Sequence, residues 1–189
     1  MLLAAGAARR FGANKLLATL PDGNIVGLLA AAKLASVVDR MVVVVRAADD
    51  ITASAFHQAG YDIVRCAEAE LGMAHSLACG VAASRDSAGW MVALADMPLI
   101  AVRTLSAVKA CWRRENRLVV PTCAGQAGHP VIFPARLAAE LLALKGESGA
   151  RPVLDAHVDE LFVFVTDDTG VLRDIDTPAD LAAATDDHP

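Results

Sequence analysis

Between Leu3 and Lys15 the chain sets Gly6 and Gly12 among small alanines and interleaves three cations, Arg9, Arg10 and Lys15. Oriented backbone amides in a tight, small-residue turn form an anion-binding concavity, and guanidinium and ammonium groups beside it complete the seat. The natural guest is a triphosphate or a pyrophosphate. Spacing alone leaves an ordinary Gly/Ala turn with solvated arginines as the alternative, because a glycine-rich loop is a weak signal by itself. Asp96 closes the apolar run Trp90 to Ala95, and a carboxylate at the C-terminal edge of a parallel sheet lies where open α/β folds bind ligands. It equally fits as a cap for a helix near Val102 or as a turn residue before Pro98. An extended segment would present Asp174 and Asp176 on one side, and either also fits as a cap ahead of Pro178. Ser76 stands in the first turn of a predicted helix, where free N–H groups are offered to ligands.

These groups need a scaffold, and the sequence carries the pattern of one. Leu2 and Leu3 read as a strand running into the loop. After the turn at Pro21-Asp22-Gly23-Asn24, helical spacing runs from Ile25 to Val38, and Met41 to Val45 is a continuous apolar run of the kind a parallel strand covered on both faces needs. Asp50 reads as the cap of a helix that Gly60 ends, followed by a strand from Tyr61 to Arg65. Glu70 to Val81 is a loop turning into a helix, Val102 to Arg114 a helix, and Leu118 to Pro121 a strand. Gly125 to Gly128 forms a tight connection into Val131 to Phe133, as in a short β-hairpin. Pro134 to Ala143 reads as a helix, Leu161 to Val165 as a strand and Asp167 to Gly170 as a turn. Strands alternating with helices predict an α/β fold with three layers, α/β/α, around a mostly parallel sheet.

Composition bounds the function. At 189 residues, one domain spanning 1–189 is expected. The hydrophobic fraction of 55% is carried by Ala, Leu and Val, and no apolar run approaches the roughly 18 residues of a membrane span. Leu2 and Leu3 pass straight into the Gly/Arg loop without the basic and apolar regions of a secretory signal. Cys66, Cys79, Cys111 and Cys123 form no metal-binding spacing, so reduced thiols in a cytoplasmic protein are expected. A net charge of −5 disfavours a general nucleic-acid binder.

Two familiar phosphate loops fail against the first stretch. A Walker loop requires Lys-Ser/Thr after its second glycine, whereas Gly12 is followed by Ala13-Asn14-Lys15-Leu16; a dinucleotide fingerprint requires glycine where Ala8 stands. The stretch instead resembles the nucleotidyltransferase signature Leu-Ala-x-Gly-x-x-x-Arg-Phe/Met-Gly-x-x-Lys, matched at Leu3, Ala4, Gly6, Arg10, Phe11, Gly12 and Lys15. Within that superfamily the chain is most similar to the molybdenum cofactor cytidylyltransferases and their MobA-like relatives. Further motifs carry the likeness: Gly-Met-x-x-Ser-Leu-x-x-Gly at Gly72 to Gly80, Leu-x-Asp-x-Pro at Leu94 to Pro98, Gly-His/Asn-Pro at Gly128 to Pro130, and Asp-Ile-Asp/Asn-Thr-Pro-x-Asp-Leu at Asp174 to Leu181.

The resemblance implies a Rossmann-like sheet of the nucleotide-diphospho-sugar transferase type and transfer of CMP from CTP to the phosphate of molybdopterin. It assigns Arg10, Lys15 and Asp96 to catalysis, and Leu3, Ala4, Ala5, Gly6, Gly72 and Ser76 to the nucleotide. Asp96 and Asp176 would hold Mg2+, with Asp174 a weaker candidate, and Gly128, His129 and Arg151 would face the acceptor. A molybdoenzyme or its maturation chaperone is the implied partner. His75, in place of one of the family's serines, is either a ligand contact or an exposed histidine at a helix start, and His129, read alone, is either structural or acceptor-facing. Several departures stand out. Only Met1 and Leu2 precede Leu3, Glu147 replaces an aspartate in the Gly146 to Arg151 loop, and Asn24-Ile25-Val26 replaces Gly-Lys-Pro. Ala5, where guanylyl-transferring relatives have glycine, narrows the base pocket towards a pyrimidine. The alternatives are GTP as donor, a sugar- or polyol-phosphate acceptor, and a nucleotide-binding maturation partner without turnover.

Overall fold

Alternation along the strands decides the architecture. The structure of the protein, a computed structural model, describes residues 1–6 and 14–184. Arg9, Arg10, Phe11 and Gly12 lie outside the described residues. The strands β1 (Leu2–Leu3), β2 (Val42–Arg46), β3 (Asp62–Cys66), β4 (Gly89–Leu94), β5 (Leu118–Cys123), β6 (Gln126–Ala127), β7 (Val131–Pro134) and β8 (Leu161–Val165) form one sheet of eight strands. Successive strand residues point to opposite faces. One face carries Leu3, Val42, Val44, Trp90, Val92, Leu118, Val120 and Phe133; the other carries Leu2, Val43, Val45, Met91, Ala93, Val119 and Ile132. Both sets are buried. A strand apolar on both faces must be covered twice, and each fully buried Val, Leu or Phe contributes roughly 1.5–3 kcal/mol.

The covers are helical. Leu77 and Val81 of α3 (Met73–Ala82), Leu141 of α5 (Ala138–Ala143) and Val153 of α6 (Arg151–Ala156) close the first face. Ala31 and Leu34 of α1 (Val26–Ala35), Phe56 of α2 (Asp50–Gln58), and Val108 and Cys111 of α4 (Val102–Glu115) close the second. A short α7 (Pro178–Ala182) ends the described chain. The three-layer α/β/α arrangement is therefore the one the sequence predicts.

Strand order is β3-β2-β1-β4-β7-β5, with β6 and β8 both pairing with β5. Strands β3, β2, β1 and β4 are parallel, as are β5 and β8, while β7 runs antiparallel to both β4 and β5. The reversal comes from the hairpin. Its turn is Ala124–Gly125, with Thr122 opposite Ala127 and Cys123 opposite Gln126, so the predicted connection at Gly125 to Gly128 is shifted and β5 is longer than expected. Two caps also differ from expectation. Asp49, not Asp50, caps α2 by accepting from the Thr52 amide, because Asp50 already lies within the helix. Thr177, rather than Asp174 or Asp176, caps α7 in a reciprocal box with Asp180. The helix α6 was not legible in its polar, glycine-rich lead-in.

Candidate active site

The C-terminal ends of the parallel strands open into a cleft of about 1200 Å³. Leu3, Ala4, Ala5 and Gly6 form its floor. The Ala4 amide donates to the Val44 carbonyl and the Ala95 amide to the Leu3 carbonyl, so the ladder continues past β1 and fixes this floor. Small side chains here leave the backbone approachable. Gly72 and Ser76 stand on the wall made by the start of α3, and both are buried. Gly72 has φ 128°, ψ 166°, and a Cβ there would overlap the carbonyl of Gly146, which accepts from the Ala74 amide at 3.1 Å. The Gly146–Arg151 loop is thereby seated behind the α3 start, and Glu147 joins the cleft lining.

At the cleft mouth, three residues distant in sequence converge. Lys15 opens a 3-10 turn, and its ammonium donates to Asp96 Oδ2 at 2.7 Å and Asp176 Oδ1 at 2.6 Å. Each carboxylate is aimed by its backbone. Asp96 follows β4, and its carbonyl accepts from the Ile175 amide at 2.9 Å, tying the segment before α7 to the strand end. The Asp180 carboxylate accepts from the amides of Asp176 and Thr177, which orients Asp176. Asp174 is exposed. The Lys15 side chain is 9% exposed. Burial lowers its pKa, but the hydrogen bonds and charges of Asp176 and Asp96 outweigh this and hold it above the ordinary lysine value. Lys15 is a cation throughout the neutral range.

The Asp96 and Asp176 oxygens fit a hard divalent ion, and the ammonium between them shows that they already bind positive charge together. Among the described residues, no set of three His, Cys, Asp or Glu side chains could hold a metal ion by itself. Two carboxylates completed by substrate phosphates and water is the arrangement that magnesium favours.

The acceptor candidates lie elsewhere. The Gly128 amide donates to Pro121 and the His129 amide to Val171, which clamps this segment beside β7, and neither residue lines the cleft described above. His129 Nδ1 is buried and has no hydrogen-bond partner. Burial pushes the ring below the ordinary histidine value, against opposing pulls from the Val92 backbone and Asp96. The unfolded chain therefore takes up this proton at a higher pH than the folded one, so stability is full above pH 6.5 and declines as pH falls through the lowered value. His129→Gln is expected to flatten the acid limb of a melting temperature series below pH 6.5 relative to the unsubstituted protein. Identical acid limbs would show that this ring is not the group involved. Arg151 is exposed, pairs with Asp155 at 3.1 Å and does not line the cleft. His75 is half-buried with Nδ1 3.1 Å from Glu68.

Sequence reasoning missed three residues. Arg46, at the C-terminal end of β2, lines the cleft with Nε buried and unpartnered; the strand-edge rule that found Asp96 could have found it. Asn14 donates to Thr52 Oγ1, fastening the loop end to α2. Asp168, fully buried, accepts from the amides of Ala101 and Gly170 and so holds the 169–172 turn against the start of α4. Only its turn character was visible in sequence.

Residues 1–161 match the family model of the MobA-like NTP transferase domain. The chain is 33% identical over 188 residues to purine catabolism protein PucB of Bacillus subtilis (strain 168), covering 94% of this chain and 91% of that protein. Its fold is similar to that of Rv0371c from Mycobacterium tuberculosis H37Rv, with TM-score 0.79, 24% identity, and coverage of 95% and 93% of the two chains. The same mycobacterial protein has been solved as a manganese complex, similar at TM-score 0.70 and 22% identity, covering 96% of this chain and 90% of that one. Molybdopterin-guanine dinucleotide biosynthesis protein A from Archaeoglobus fulgidus is similar at TM-score 0.66 and 18% identity, covering 95% and 93%. No helix among the described residues is long and apolar enough to cross a membrane.

Proposed function

The chain belongs to the MobA-like NTP transferase family, and from that premise we propose that it transfers CMP from CTP to the phosphate of a molybdopterin-type acceptor, releasing pyrophosphate. The observation that carries this reading is the meeting of Lys15, Asp96 and Asp176 at the mouth of a cleft floored by Leu3 to Gly6. An acceptor phosphate oxygen attacks the α-phosphorus, the bond to the β-phosphate oxygen breaks, and the electron pair leaves on pyrophosphate. No covalent protein nucleophile is needed. Rate comes from alignment and from neutralising charge that shifts onto the leaving group. Gly6 and its neighbours offer backbone amides to the phosphates, and Lys15 supplies positive charge to them. Arg10, outside the described residues, is assigned the same task by its place in the loop signature. A divalent ion held by Asp96 and Asp176, Mg2+ or Mn2+, would polarise the phosphoryl oxygens; the manganese complex of the mycobacterial fold relative supports this.

Gly72 and Ser76 hold the base and ribose in this reading, and the Ala5 methyl narrows the base pocket towards cytosine. Gly128 and His129 face the acceptor from the β7 side, next to Asp96. Arg151, exposed at the start of α6 and paired with Asp155, keeps its acceptor role in this reading on the family resemblance alone. In this reading residues 1–189 form one nucleotidyltransferase domain in the cytoplasm. The recipient of the product in this reading is a molybdoenzyme or its maturation chaperone; the Bacillus relative is named for purine catabolism. GTP as donor is the second reading, favoured by the guanine dinucleotide named for the Archaeoglobus protein.

Pyrophosphate release from CTP, GTP and ATP, measured in parallel with magnesium and molybdopterin, decides between them. CTP-selective release is expected. GTP selectivity would move the assignment to guanylyl transfer. Release only with a sugar or polyol phosphate would replace the acceptor, and tight nucleotide binding without release would make the protein a non-catalytic maturation partner.

A further inference from the structure

We infer that Lys15 is a built-in counter-ion that competes with the divalent cation for the Asp96–Asp176 pair, so that metal and triphosphate bind together and not metal first. The inference rests on the metal assignment proposed above and adds a binding order to it.

The argument is geometric. The Lys15 ammonium sits 2.7 Å from Asp96 Oδ2 and 2.6 Å from Asp176 Oδ1. A magnesium-sized ion binds carboxylate oxygens at about 2.0–2.1 Å, so one held by these same two oxygens would lie within about 5 Å of the ammonium. The Lys15 side chain is 9% exposed, Asp96 21% and Asp176 35%, so water screens such charges only in part. The two cations exclude one another from this seat, and the ammonium must leave before both oxygens can turn to a metal.

Only the side chain is free to make that move. Asn14 is fastened to Thr52 at 2.7 Å and Leu16 is buried in the core on the second face of the sheet, so the backbone at Lys15 is a fixed pivot. From it, the four-carbon stem can swing along the cleft towards the Gly6 end, where Lys15 and Gly6 line the same space. A triphosphate lying there offers the ammonium replacement anions. Nucleotide thus draws Lys15 off the carboxylates and frees them for the metal, and by linkage the metal strengthens nucleotide binding by the same factor. The arrangement keeps the site from capturing divalent ions that bring no substrate.

The test measures Mn2+ binding directly, from the free-ion paramagnetic resonance signal, on the full chain without nucleotide. Lys15→Met and Lys15→Gln are each expected to bind Mn2+ roughly tenfold or more tightly than the unsubstituted protein, within the usual range of coupling between sites. Mn2+ alone should then raise the melting temperature of the variants and leave that of the unsubstituted protein unmoved. Adding CTP should strengthen Mn2+ binding to the unsubstituted protein by a larger factor than to either variant. Equal or weaker Mn2+ binding by both variants would overturn the competition. Asp96→Asn separates this from failure of the metal assignment. If that substitution weakens Mn2+ binding to the nucleotide complex while the Lys15 variants gain nothing, only the competition is wrong. If it leaves Mn2+ binding to the nucleotide complex unchanged, the metal assignment falls and the inference with it.

Discussion

Asp96→Asn is expected to lower kcat/KM by about a thousandfold, which corresponds to about 4 kcal/mol of lost transition-state stabilisation. The substitution keeps the shape of the side chain and removes its charge. Its backbone carbonyl still accepts from the Ile175 amide, and Lys15 keeps its bond to Asp176 at 2.6 Å, so the frame around the site is retained. The change in stability should stay within about 1–2 kcal/mol, the range for one charge-assisted hydrogen bond weakened rather than orphaned. Nucleotide binding without metal should be kept or strengthened, since the floor from Leu3 to Gly6 and the wall at Gly72 and Ser76 are untouched and Lys15 is held less tightly by the carboxylates. The loss should appear in kcat as metal is titrated. Retention of more than a tenth of the activity, at matched stability, would remove Asp96 from the chemistry and return it to the capping or turn role that its sequence position also allowed.

How far the sequence foresaw this site depended on the kind of information each residue needs. The continuous apolar run from Met41 to Val45 is local, and it predicts a strand covered on both faces, which the two buried faces of the sheet bear out. Asp96 was placed at a strand edge by the same local logic. Its pairing with Asp176 across 80 residues followed only from the family resemblance, because nothing in either neighbourhood specifies that the Ile175 amide meets the Asp96 carbonyl. The hairpin turn lies at Ala124–Gly125, ahead of the expected connection over Gly125 to Gly128: Ala124 has φ 49°, an uncommon conformation for alanine, and no sequence signal marks it. Asp168 shows the limit most clearly. A turn aspartate followed by Thr-Gly looks exposed, yet it is fully buried with both oxygens occupied by amides, one of them from Ala101, 67 residues away.

The second large effect concerns the wall of the cleft. Gly72→Ala is expected to destabilise the protein by roughly 2–4 kcal/mol, since φ 128°, ψ 166° is close to glycine-only backbone and the new methyl meets a carbonyl that cannot rotate away. For a chain of this length that lowers the melting temperature by roughly 4–16 °C. The consequence for function is specific. The carbonyl in question is that of Gly146, whose bond to the Ala74 amide seats the loop carrying Glu147 behind the start of α3, so relieving the overlap displaces both Glu147 and the turn bearing Ser76. Nucleotide affinity should fall with stability, by about tenfold. Gly146→Ala provides the control, because Gly146 also has positive φ, at 81°, but a Cβ there meets nothing within 4 Å. That variant should lose only about 1 kcal/mol and bind nucleotide normally, the penalty of backbone conformation without a collision. Equal, mild effects of the two substitutions on melting temperature and nucleotide affinity would mean that the Gly72–Gly146 contact does not hold the wall. A large difference between them would show that the left-handed residue opening α3 is retained for the close approach of two backbones, and that the shape of the nucleotide pocket is set by a loop more than 70 residues further along the chain.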